Sequence, residues 1–202
     1  MLTQSWQRSW AALGMPAPQA VLDSLLAAYQ EGQRSYHTLQ HVQEMIALLE
    51  PLLGQAQHPG ELELALWFHD AVYQPRAKDN ELQSAHWAAR VMQQQGLGEA
   101  AVQRVHALIM ATCHAALPQQ YDAQLLVDID LGILAADAAR FAEYEQQIRA
   151  EYLWVPSWIY RSKRRAVLQS FMDRECIYST PVFSARFEAA ARRNLEQALH
   201  TR

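Results

Sequence analysis

The sequence predicts an all-α protein, and three observations carry that expectation. Apolar residues recur at spacings of three and four, and few β-branched runs alternate with period two. Glycine is scarce, with seven in 202 residues, and the eight prolines fall mostly between the periodic segments. Half of the residues are hydrophobic, which suits one compact domain with a sizeable core. The expected architecture is a single-domain helical bundle of about eight to ten helices.

A first helix covers Ser5 to Leu13 and is closed by Gly14 and Pro16. A second runs from about Pro18 to Gln30, with Val21, Leu22, Leu25 and Leu26 on one face, and Gly32 stops it. A third runs from about His37 through Val42, Met45, Ile46 and Leu49, after which Pro51, Gly54 and His58-Pro59-Gly60 break the pattern. The fourth, Glu61 to Val72, carries His69-Asp70 near its C-terminal end. Beyond the loop Tyr73 to Asp79, either Asp79 or Asn80 caps a fifth helix that ends near Gly96. The sixth spans about Glu99 to Thr112 and stops before Pro118, and a shorter seventh contains Leu125 to Ala135. Asp137 caps an eighth that ends near Tyr152, and a ninth runs from about Ser157 to Arg174. The last starts at Thr180-Pro181, a Thr cap with Pro at the first helical position. The third to seventh helices form the core. The motif-bearing part covers about 34–135, and helices over 137–200 pack on it.

Composition narrows the function classes. The formal charge is −4 with acids and bases mixed along the chain, so global charge does not mark a nucleic-acid partner. The run Arg161-Ser162-Lys163-Arg164-Arg165 is the one local exception. Two cysteines, Cys113 and Cys176, are too few for a disulfide framework and read as reduced thiols. The N-terminus lacks the pattern of a signal peptide, and no run of about 18 apolar residues is present. The expected setting is cytoplasmic, without a membrane partner. Self-association into a homo-oligomer stays open.

The chemistry concentrates in three places. His69-Asp70 ends the apolar run Leu62-Glu63-Leu64-Ala65-Leu66-Trp67-Phe68, where an ionised carboxylate needs a partner. Upstream lies Tyr36-His37-Thr38-Leu39-Gln40-His41, whose two histidines are four apart and project from one face if both are helical. Downstream lies Asp128-Ile129-Asp130. Imidazole and carboxylate together hold Mn, Fe, Co, Ni or Zn, and a carboxylate-rich set also suits Mg. The spacing of His37 and His41 matches that of a zinc protease motif, but the Glu that would serve as general base is missing.

The ordered set resembles the HD superfamily of metal-dependent phosphohydrolases, whose pattern is His, His-Asp and Asp on adjacent helices. More narrowly, it looks like a bacterial group of HD-type proteins. The matching segments are Tyr36-His37-Thr38-Leu39-Gln40-His41, Phe68-His69-Asp70, Asn80-Glu81-Leu82-Gln83-Ser84-Ala85 and Asp128-Ile129-Asp130-Leu131. The resemblance covers roughly residues 34 to 180. It implies a divalent metal ion and hydrolysis of a phosphate ester or anhydride, with a nucleotide or similar small molecule as substrate. The alternative is an HD-like module that has lost catalysis and binds a ligand or signals.

Carried over residue by residue, the resemblance implies His37 as first metal ligand with His41 in reserve, and His69 and Asp70 in the central roles. For the last ligand it implies Asp130, followed by a bulky Leu, with Asp128 in reserve. On a helix two acids two residues apart diverge by roughly 200°, so one of them reaches the metal. Asp70 or Glu81 accepts the proton of the attacking water. His114 is a candidate substrate contact or second-metal ligand, ahead of His106 and His86. A phosphate also needs cations, and Arg34, Lys78 and Arg149 are the candidates, with the Arg161 to Arg165 run behind them.

Overall fold

The computed structural model describes residues 1–114 and 116–200. The described residues form ten α-helices and two 3-10 helices joined by turns and loops, and none of them is in a strand. The order is α1 (Leu2–Ala12), α2 (Gln19–Ala28), α3 (Leu39–Leu49), η1 (Glu50–Gln55), α4 (Pro59–Phe68), α5 (Asn80–Gln94) and α6 (Glu99–Ala111). There follow α7 (Tyr121–Asp130), η2 (Leu131–Ala135), α8 (Ala138–Glu151), α9 (Ser157–Met172) and α10 (Pro181–His200). Among the described residues no helix is long and apolar enough to cross a membrane.

The centre of the bundle is α4, which packs on α1, α3, α5, α6 and α7. A helix surrounded in this way must be apolar all round. Every residue from Gly60 to Phe68 is buried. Two of them are acids, and each has a basic partner. Glu63 accepts hydrogen bonds from Ser5 Oγ at 2.6 Å and from Arg8 Nη2 at 2.6 Å. Glu61 takes a bidentate pair from Arg104, both bonds 2.7 Å. Such paired geometry is what allows a carboxylate below the surface. Gly60 is required by close approach: a Cβ there would lie 2.8 Å from the Ser9 carbonyl and 2.9 Å from Ala12 Cβ on α1. Trp6, Trp10 and Trp67 fill the α1–α4 seam edge to face.

Two boundaries differ from expectation in ways that matter for the site. The fourth helix ends at Phe68, so His69 is its C-cap and Asp70 lies in the turn beyond. The third begins at Leu39, because Thr38 turns its hydroxyl onto the Gln40 N–H and caps it there. His37 therefore precedes the helix, and His37 and His41 do not share a helical face. Asp137 caps α8 as expected, accepting from the Arg140 N–H at 2.9 Å. Neither Asp79 nor Asn80 caps α5 with its side chain; Asn80 instead closes the preceding loop on Gln74.

Candidate metal centre

The C-terminus of α4, the first turns of α3 and the C-terminus of α7 meet at one point. His69 Nε2 lies 3.3 Å from His41 Nε2. Asp130 Oδ1 lies 3.1 Å from His41 Nε2 and 3.7 Å from His69 Nε2. Asp70 Oδ2 joins from the other side, 3.0 Å from His69 Nε2 and 3.8 Å from His41 Nε2. His41, His69 and Asp130 form a group that can hold a metal ion, with one donor atom from each within 4.8 Å of the others.

Donor chemistry supports the fit. His69 Nδ1 lies 2.8 Å from the Leu66 carbonyl, one turn back on the same helix. A carbonyl only accepts, so Nδ1 carries a proton, and in the neutral ring Nε2 presents its lone pair to the cluster. Two buried imidazole nitrogens at 3.3 Å, flanked by two carboxylates, favour positive charge between them, whether a proton or a metal ion. The titration of the site says the same. Burial disfavours charge on His69, but Asp70 and Asp130 outweigh it and lift the imidazole to about 9. Burial likewise raises Asp70, yet His69, His37 and His41 bring it below the ordinary carboxylate range. Asp130, also buried, is held well below that range, first by His114 and His41.

His37 stands beside this group rather than in it. Its Nδ1 lies 2.7 Å from Glu151 Oε2, and its ring stacks on Tyr73 at 4.2 Å between centroids. Burial lowers the His37 imidazole, but Asp70 and Glu151 raise it above its ordinary value. Glu151, which no motif marks, organises the whole turn. Its Oε1 accepts the backbone N–H groups of Ser35, Tyr36 and His37 at 2.8, 2.8 and 3.0 Å, and Oε2 accepts the Tyr73 hydroxyl at 2.7 Å. Burial pushes this carboxyl up, and the contacts with His37, Ser35 and Tyr73 more than reverse that, to about 2. Nothing in the sequence links an acid at the end of the eighth helix to a turn more than a hundred residues earlier.

Several other candidates have different work. The Arg34 side chain is buried and donates to the carbonyls of His37 (3.1 Å), Asp70 (2.7 Å) and Ala71 (3.0 Å). It braces the backbone of the two histidine segments and has no free edge for a phosphate. Asp128, fully buried, accepts the Ser179 and Thr180 N–H groups and the Thr180 hydroxyl, which ties α7 to the start of α10. Arg149 donates to the carbonyls of Tyr152 and Val155, closing the end of α8. Glu81 lies beside Cys113, where burial first and the Glu81 carboxylate second push the thiol up. Lys78 is exposed in the loop before α5.

His114 does belong to the site. Its Nε2 lies 3.1 Å from Asp130 Oδ2, on the carboxylate oxygen that does not face His41. Its backbone sits at φ 54°, the left-handed region where a non-glycine residue is strained, and its Nδ1 is buried with no partner among the described residues. A cavity of about 460 Å³ adjoins the cluster. His37, His114 and Asp130 line one part of it, and side chains of η2, α8 and α9 most of the rest.

Against protein-family models, curated proteins and solved structures, the chain has no match in any of the three comparisons.

Proposed function

We propose that the protein is a metal-dependent phosphohydrolase of the HD type, cleaving a phosphate ester or anhydride of a nucleotide or similar small molecule with water. The observation that carries this reading is the meeting of His41, His69, Asp70 and Asp130, from three separate helix ends, at a cation-seeking cluster beside a cavity. The order His, His-Asp, Asp along the chain is that of the HD superfamily. A divalent ion held by these residues supplies positive charge for a phosphoryl oxygen and acidifies water. His41, His69 and Asp130 would hold the ion. Asp70, beside His69 Nε2, would accept the proton of the attacking water. His114 fixes the second oxygen of Asp130. His37, turned by Glu151 so that Nε2 is its free nitrogen, faces the incoming phosphate.

The test is metal content together with phosphate release. Purified protein is expected to carry or take up one of Mn, Fe, Co, Ni, Zn or Mg, and to release phosphate from one member of a nucleotide, monoester and diester panel. Asp70→Ala is expected to lower kcat by about 100-fold or more. Bound metal with no release from any panel member sinks the hydrolase reading and leaves a ligand-binding or signalling module.

A further inference from the structure

One face of α9 lines the cavity through Tyr160, Lys163, Arg164, Val167 and Phe171, the spacing of a single helical stripe. Tyr144 and Ile148 of α8 and Tyr152 just beyond it complete an apolar, aromatic wall. The two cations on the stripe differ. Arg164 is buried, donates to Glu145 Oε1 at 3.1 Å, and lies over the Tyr144 ring at 4.9 Å. It is part of the wall. Lys163 is exposed and has no carboxylate partner among the described residues. Two further polar atoms are unsatisfied here: the hydroxyls of Tyr36 and Tyr160, both buried and both on cavity-lining residues, have no partner among the described residues. Buried hydroxyls are otherwise almost always bonded.

We propose that this cavity binds the body of a phosphate compound, that Lys163 holds its phosphate group, and that the body is a compact ring rather than a polar chain. The inference rests on the hydrolase reading for the phosphate end alone. Aromatic side chains favour ring faces, and the cavity volume suits a small ligand. The exposed ammonium of Lys163 is a point-charge contact for phosphate.

Uncleavable probes separate binding from turnover. With Mn2+ in excess, titration calorimetry on the full chain should find phenylphosphonate bound about tenfold more tightly than methylphosphonate. Lys163→Ala should weaken both about tenfold. Val167→Asp, at an exposed wall position, should weaken phenylphosphonate and leave methylphosphonate unchanged. Both substitutions are at exposed side chains, and unchanged melting curves would show that the variants fold. Equal affinity for the two probes, or no effect of Lys163→Ala, overturns the proposal. If the probes behave as expected and no phosphate ester is cleaved with any metal, the hydrolase reading fails and the pocket stands. Cleavage with KM values indifferent to a ring has the opposite meaning.

Discussion

His41 and His69 face each other through Nε2, and each is expected to be indispensable for the ion. His41→Ala or His69→Ala should lower the affinity for Mn2+ or Zn2+ by about 100-fold or more in calorimetric titration. His37→Ala should have a smaller effect, on the order of tenfold, because His37 borders the cluster rather than completing it. Loss of binding in His37→Ala with none in His41→Ala would place the ion elsewhere. Glu151 makes a stability prediction with a definite sign. Its folded value, about 2, lies below its ordinary value of 4.5, so its contribution is complete above pH 4.5 and fades as pH falls toward 2. Glu151→Gln should therefore cost on the order of 2–3 kcal/mol at pH 7 in urea unfolding, with the gap to wild type narrowing below pH 4. A gap that stays constant down to pH 3 contradicts the ionised, hydrogen-bonded carboxylate. Tyr160→Phe should be neutral or stabilise the ligand-free protein by about 1 kcal/mol, since it removes an unpaired buried hydroxyl. A fall of several degrees in Tm would mean that the hydroxyl has a partner.

At the scale of the elements, the apolar periodicity placed all ten helices, and Asp137 announced its own cap. Their ends were harder to read, and the candidate site lies at helix ends. His69 falls one residue past α4 because the chain turns there, with its imidazole proton taken up by the Leu66 carbonyl. Thr38 decides that His37 stays outside α3, a side-chain cap easily overlooked within the short run from Tyr36 to His41. The order of the motifs points to His69 and to Asp130 ahead of Asp128, but it puts His37 ahead of His41, whereas His41 is the histidine that meets them. The places of Arg34 and Glu151 are not legible there, because Glu151, and Arg34 through Asp70 and Ala71, act on backbone groups distant in sequence, and no local pattern records such partners. The α1–α4 seam gives a test at this scale. Gly60→Ala should destabilise by about 1–3 kcal/mol in thermal or chemical unfolding, since the new Cβ meets a backbone carbonyl that cannot rotate away. Full stability in that variant would mean the two helices can separate without loss.

For the molecule as a whole, the C-terminal helices do more than cover a motif-bearing core. Asp128 holds the start of α10, α9 walls the cavity, and Glu151 at the end of α8 fixes the turn that carries His37. A fragment ending at residue 135 keeps His41, His69, Asp70 and Asp130 but loses Glu151 and the α9 stripe. The Glu151 contacts also bear on how the chain assembles. Three successive amides, Ser35, Tyr36 and His37, depend on a single carboxylate 114 to 116 positions away. Closing so long a loop costs entropy that no local contact returns, so this turn orders only after α8 has docked. Hydrogen exchange at those three amides is thus a direct reporter of that docking step, and in Glu151→Gln they should lose protection while α4 keeps its own.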